Sequence, residues 1–290
     1  MHPQFQPLVN AFLKWASARH EVRAAVVIGS QARAQRAADA FSDLDLVIVT
    51  ADPHYFLEED GWLKTIGTPI VSFRELRATG GEFERRVLFE PDRDVDFIPV
   101  STAEWAAWMS GQVSPQVLQI FALGHRVIFD RAGDVPARLC ALCHGVSAGE
   151  ALPDESAFQG LCGDYLYHGL WTAKKLRRGE LFTAKACLDG HMKRALLTLI
   201  EWHVRLNQPQ EARVCSRGRF LEQWAPPWVQ DRLRASFAAY DSADLKRALG
   251  ASMEFFQQLG VEVARDRGYA YPSGAHARIR RLIDERLGDA

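Results

Sequence analysis

The chain has 290 residues, 48% of them hydrophobic, with 35 basic and 36 acidic side chains. That length suits one large or two medium domains with a sizeable core, and no apolar run reaches the ~18 residues of a membrane-spanning helix. A net charge of −1 argues against a generic nucleic-acid coat, which would be strongly basic. Phe5, Leu8, Val9, Phe12, Leu13 and Trp15 fall at helical spacing within residues 5–20. The apolar run Ala24-Ala25-Val26-Val27-Ile28 then stops at Gly29-Ser30, which reads as a buried strand entering a tight turn. Polar, Ala-rich residues 31–40 read as a short helix or loop. Strands are expected at Leu44–Val49, Ile70–Phe73, Glu84–Phe89 and Asp94–Val100, the last two joined by a turn at Glu90-Pro91-Asp92-Arg93. Residues 1–130 therefore read as an α/β or α+β unit. After Gly133 the period becomes helical, through Leu188, Met192, Ala195, Leu196, Leu199 and Ile200, is broken at Pro226-Pro227, and resumes from Leu233 to Leu259, ending at Gly260. This half reads as a helical bundle, with the boundary near 133–155, where Gly, Pro and Ser cluster.

The near-neutral total hides an asymmetry. Residues 1–150 carry 14 Lys+Arg against 19 Asp+Glu, and residues 151–290 carry 21 against 17, so two units with different jobs are expected. Residues Met1 to Val9 lack a basic segment followed by an apolar one, so no secretory signal is expected there. With five cysteines, an odd number, the chain reads as cytoplasmic with reduced thiols.

The informative segment joins Val26-Val27-Ile28-Gly29-Ser30, twelve residues further on, to Asp43-Leu44-Asp45-Leu46-Val47-Ile48-Val49. Alternate side chains of a strand share a face, so Asp43 and Asp45 point the same way while Leu44 and Leu46 enter the core. Adjacent carboxylates repel unless a cation sits between them. Oxygen ligands suit Mg²⁺, which takes one or two carboxylates and completes its shell with phosphates and water. Asp96, in Asp94-Val95-Asp96-Phe97-Ile98, opens an apolar strand in the same way. If that strand lies beside the first, Asp96 closes a cluster of three. Gly29 lets the backbone approach a ligand closely. Ser30 and nearby N–H groups, helped by a following helix N-terminus, then hold phosphate oxygens, with Arg33 and Arg36 adding charge at the same end.

These residues resemble the signature of the DNA polymerase β-like nucleotidyltransferase superfamily. Further segments are similar to the bacterial aminoglycoside 6-adenylyltransferases (streptomycin adenylyltransferases): Gly61-Trp62-Leu63-Lys64-x-Ile66-Gly67, Val95-Asp96-Phe97-Ile98-Pro99, Arg178-Gly179-Glu180-Leu181-x-x-Ala184-Lys185-x-x-Leu188-Asp189, Glu201-Trp202 and Gly268-Tyr269-x-Tyr271-Pro272. The chain departs from the pattern at Gln31, where Arg is expected, and in the linker up to Asp39. The resemblance implies an α+β fold. A polymerase β-like mixed sheet with flanking helices would occupy residues 1–135 and a helical acceptor- and nucleotide-binding domain residues 150–290. It implies Mg²⁺-dependent transfer of AMP from ATP, bound between the domains, to an acceptor hydroxyl with release of pyrophosphate. Asp43, Asp45 and Asp96 would be catalytic and hold metal, Asp96 serving as a second-metal ligand or as the base. Gly29, Ser30, Arg33 and Lys185 would bind the nucleotide, and Glu180, Asp164 and Asp189 would meet a cationic, aminoglycoside-like acceptor. A monomer is expected, with no membrane or nucleic-acid partner. Two rival readings remain: the same chemistry on a protein, RNA or another small molecule, and a non-catalytic nucleotide-binding module.

Other conspicuous residues read as structural. Glu58-Glu59-Asp60 reads as a solvated face, Trp105 and Trp108 as packing, and Tyr269 and Tyr271 as packing of the last turn. Cys140-x-x-Cys143-His144 matches a haem-attachment pattern but lacks an export route and reads as a chance i,i+3 pair on a helix. No HExxH, Walker loop or G-x-S-x-G elbow is present.

Overall fold

A computed structural model describes residues 1–33, 38–146, 152–207 and 216–288. The chain divides into two compact units, Met1–Glu150 and Ala151–Ala290. In the first unit, helix α1 (Gln6–Ser17) precedes β1 (Val22–Ile28) and β2 (Leu44–Thr50). Two short helices follow, α2 (Pro53–Glu58) and α3 (Gly61–Ile66), and then β3 (Pro69–Leu76), β4 (Phe83–Phe89) and β5 (Arg93–Ser101). Helices α4 (Thr102–Met109) and α5 (Pro115–Leu123), strand β6 (Arg126–Asp130) and helix α6 (Val135–Cys143) complete it. The strands form one mixed sheet in the order β3-β4-β5-β2-β1-β6. β2 and β5 run parallel, and the other neighbours are antiparallel. This is an α+β architecture. β6 lay outside the sequence expectations because Arg126–Asp130 is short and only partly buried at the sheet edge.

The two faces of the sheet carry separate cores. Leu44, Leu46 and Ile48 of β2 and Val95 and Phe97 of β5 pack with Phe5, Leu8, Phe12, Phe56 and Trp62. Val47, Val49 and Val100 point the other way and pack with Trp105, Val117, Phe121 and Leu139. Trp105 and Trp108 therefore pack the sheet, their rings 6.0 Å apart. Trp62 is fully buried, edge-on to Phe97 at 4.7 Å and to Phe56 at 5.2 Å. The acidic run Glu58-Glu59-Asp60 is exposed but also does structural work. Asp60 pairs with buried Arg85, which donates to the Glu59 carbonyl at 2.9 Å, and Glu58 pairs with Arg74.

The second unit is helical: α7 (Glu155–Arg177), α8 (Leu181–Ala186), a π-helical turn (Cys187–Met192), α9 (Lys193–Asn207), α10 (Leu221–Trp224), α11 (Pro227–Ala235), α12 (Ser242–Arg267) and α13 (Ser273–Leu287). Capping sets the long helices. The Asp154 and Asp241 carboxylates accept from Ala157 N at 2.7 Å and Asp244 N at 2.9 Å, filling donors that a helix start leaves free. Tyr165 of α7 stacks on Phe256 of α12 at 3.7 Å and donates to the Ser252 carbonyl.

Two expectations are corrected here. The last helical stretch does not start at Leu233 or stop at Gly260. α11 ends at Ala235, α12 starts after Asp241, and α12 runs through Gly260 to the αL cap Gly268. Gly260 is small because the Tyr271 ring lies against it, and a Cβ there would overlap that ring. Tyr271 also hydrogen-bonds His276 Nδ1 at 2.6 Å, and Tyr269 donates to the Pro153 carbonyl at 3.0 Å, so both tyrosines pack the end of the unit.

Trp62→Ala removes the ring against which Phe97 packs. It should lower the unfolding free energy by about 3–5 kcal/mol, read as a lower midpoint in urea denaturation. A shift under about 1 kcal/mol would mean that the site collapses freely around the cavity.

Candidate active site

Strand register builds the site. β2 and β5 are parallel neighbours with Asp45 directly opposite Asp96, while β1 places Ile28 opposite Asp45. Both aspartates lie on the sheet face of Val47, Val49 and Ile98, at the end where the strands begin. Asp43 precedes Asp45 by two residues. One carboxylate oxygen from each of Asp43, Asp45 and Asp96 lies within 4.8 Å of the other two.

Packing and like charge then set the electrostatics. Burial, and after it the charges of Asp43, Asp96 and Glu84, push the Asp45 carboxyl up to about 7. Burial pushes Asp96 up to about 6, with Arg86 opposing and Glu84 and Asp43 adding to the rise. The charges of Arg86 and Glu84 were not foreseen as part of this site. β4 pairs Arg86 directly with Asp96, and its guanidinium reaches Asp96 at 3.5 Å, Glu84 at 3.2 Å and Glu75 at 2.7 Å. The available signal was alternation: in Phe83-Glu84-Arg85-Arg86-Val87, Glu84 and Arg86 share the face of Asp96.

Gly29, at φ +67°, adopts a backbone that L side chains avoid. A Cβ there would overlap Asp45 Oδ2, so only glycine lets the turn lie against that carboxylate. The following Ser30 is buried with its hydroxyl unpartnered, and Arg33 Nε is likewise buried without a partner. A 3-10 turn, Gly29–Gln31, directly follows β1, and the short helix or loop expected over 31–40 falls partly outside the described residues. Arg36 lies outside the described residues. Gln31, the departure from the family pattern, is buried. Its amide donates to the Asp43 carbonyl at 3.0 Å, and its carbonyl accepts from His2 N at 2.7 Å, fixing the backbone that carries Asp43.

The donor set fits a hard divalent cation. Three carboxylates converge, and an unpartnered hydroxyl lies in the turn against Asp45. Other predicted residues lie in the helical unit. Lys185 Nζ donates to Asp189 at 2.5 Å and to the Ala238 carbonyl at 2.6 Å. Glu180 pairs with Lys175 at 2.8 Å and Arg178 at 2.7 Å. Asp164 lies between His168 and His191. Cys140 and Cys143 belong to α6 and join no metal-like cluster among the described residues.

The profile of the streptomycin adenylyltransferase family matches residues 4–285. The chain belongs to this family. It is accordingly a nucleotidyltransferase. The aminoglycoside 6-adenylyltransferase of Campylobacter jejuni is 20% identical over 285 residues, covering 96% of this chain and 91% of that protein. The enzyme of the same name from Bacillus subtilis (strain 168) is 21% identical over 276 residues, covering 92% of each. A crystal structure of an aminoglycoside 6-adenyltransferase from Bacillus subtilis aligns over 100% of both chains with 15% identity and a TM-score of 0.47.

The raised carboxyls give this family member a pH signature. In metal-free protein the folded state keeps protons on Asp45 and Asp96 that the unfolded chain releases, from the ordinary aspartate value up to about 7 and about 6. The folded state thus binds more protons in that window. The stability these groups contribute is present at low pH and lost as pH rises through it. The unfolding free energy of wild type minus that of Asp45→Asn, measured by denaturant in EDTA from about pH 4.5 to 7.5, should decline with pH. A flat difference would show that Asp45 is not held by burial and like charge.

Proposed function

We propose that this chain transfers AMP from ATP to a hydroxyl of an aminoglycoside, streptomycin being the acceptor to test first, and releases pyrophosphate. The observation that carries the reading is the convergence of Asp43, Asp45 and Asp96 beside the Gly29-Ser30 turn. The names of the family and of the two relatives supply the acceptor class. Asp43 and Asp45 would hold Mg²⁺, with Asp96 close enough to share it. When bound, the ion neutralises the triphosphate and the charge that develops on the leaving group. The unpartnered Ser30 hydroxyl donates to a phosphate oxygen, and Arg33 adds charge at the same turn. Asp96 takes the proton of the acceptor hydroxyl as the new oxygen–phosphorus bond forms and the bond to pyrophosphate breaks. Arg86, 3.5 Å away, favours the ionised Asp96 that this role needs.

Glu180 and Asp189 meet the acceptor's amino or guanidino groups. Both carboxylates already hold a cation, so engagement exchanges one pairing for another and contributes little singly. A reaction that draws on ATP suits a cytoplasmic protein.

Asp45→Asn should lower transfer by about 100-fold or more, equivalent to about 3 kcal/mol, with the far-UV circular dichroism unchanged. Full activity with Mg²⁺ and ATP would remove Asp45 from the metal. Asp96→Asn should depress kcat far more than it raises KM for ATP, whereas equal losses would make Asp96 chiefly a ligand of the nucleotide-bound metal. Pyrophosphate release from ATP should rise on adding streptomycin and be followed across a panel of other aminoglycosides. Silence across the panel would overturn the acceptor assignment while leaving the family standing.

A further inference from the structure

The helical unit holds a second group of ligating side chains that nucleotidyl transfer does not require. Asp164 and His168 are one turn apart on α7, and His191 comes from the π-helical turn Cys187–Met192. Asp164 accepts from both rings, with His191 Nε2 to Oδ2 at 2.8 Å and His168 Nδ1 to Oδ1 at 3.1 Å. The imidazoles face each other with centroids 4.0 Å apart and planes inclined at 43°. One potential ligand atom from each of the three residues lies within 4.8 Å of the other two. In a tetrahedral zinc site with bonds of about 2.0–2.1 Å, ligand atoms are about 3.3 Å apart, so closure needs only small side-chain adjustments.

We infer that Asp164, His168 and His191 form a binding site for one divalent transition-metal ion of the zinc class. Two imidazoles and one carboxylate are the donors such ions prefer, whereas Mg²⁺ prefers oxygen. Side-chain exposures of 40%, 27% and 39% for Asp164, His168 and His191 leave the site open to solvent, so the ion keeps water in its remaining position. His168 Nδ1 also lies 2.9 Å from the Asp164 carbonyl. Nδ1 is therefore the ring atom that faces Asp164, so a bound ion would sit at Nδ1 between ring and carboxylate, with the ring hydrogen on Nε2. The π turn is the local irregularity that carries His191, and such turns often mark functional positions. An ion held by α7 and the π turn would tie two elements of the helical core together. This assignment does not depend on the identity of the acceptor.

Zinc titration by calorimetry in excess Mg²⁺, which occupies the carboxylate cluster of the first unit, tests the assignment. Wild type and Asp45→Asn should each bind one equivalent with equal affinity. His168→Ala and His191→Ala, checked for unchanged circular dichroism, should bind at least tenfold more weakly. Zinc should raise the Tm of wild type but not of the two histidine variants. If the rings serve the fold and a variant is unstable, His191→Gln supplies a non-ligating polar side chain in its place and should show the same loss. No zinc binding by wild type, wild-type affinity in either folded histidine variant, or loss of binding in Asp45→Asn would each overturn the proposal.

Discussion

Mutual repulsion among three carboxylates is the constraint around which the first unit is organised. Parallel pairing of β2 with β5 leaves Asp45 and Asp96 no choice but to stand side by side. The apolar residues that follow each of them in sequence bury that end of the sheet. Isolated carboxylates in this setting would take up protons, and the raised values of Asp45 and Asp96 express that tendency. The surroundings relieve it only in part. Arg86 lies opposite Asp96, but Glu84 and Glu75 share its guanidinium. The remaining imbalance is the property that makes the cluster receptive to a divalent cation.

The rigidity of this cluster comes from the opposite face of the sheet. Phe97 immediately follows Asp96 and packs against Trp62, which packs against Phe56 and Trp15. A shift of β5 along β2 would have to drag Phe97 out of that aromatic group. At the other end of the site, Gln31 fixes the Asp43 carbonyl, and Gly29 admits the Asp45 carboxylate. Each aspartate is thus positioned by a neighbour that plays no chemical part itself.

The carboxylate cluster was legible because strand alternation and residue type together determine it. Asp43 and Asp45 share a face by period alone, and Asp96 repeats their pattern at the head of an apolar strand. Glu84 and Arg86 were harder to assign, since their relevance depends on β4 lying antiparallel beside β5, a register that local sequence does not state. The helical half was legible as helix but not in its punctuation. Gly260 has the composition of a stop signal, yet the Tyr271 ring seated against it accounts for the glycine inside a continuous helix. The grouping of His191 with Asp164 and His168 spans 27 residues and arises from a π turn, which has no periodic signature in the sequence.

The charge asymmetry between the halves also acquires a physical meaning. Part of the acidic excess of residues 1–150 is the cluster itself, charge that a cation would neutralise. The basic excess of residues 151–290 is not simply free positive surface. Lys175 and Arg178 are held by Glu180, and Lys185 by Asp189.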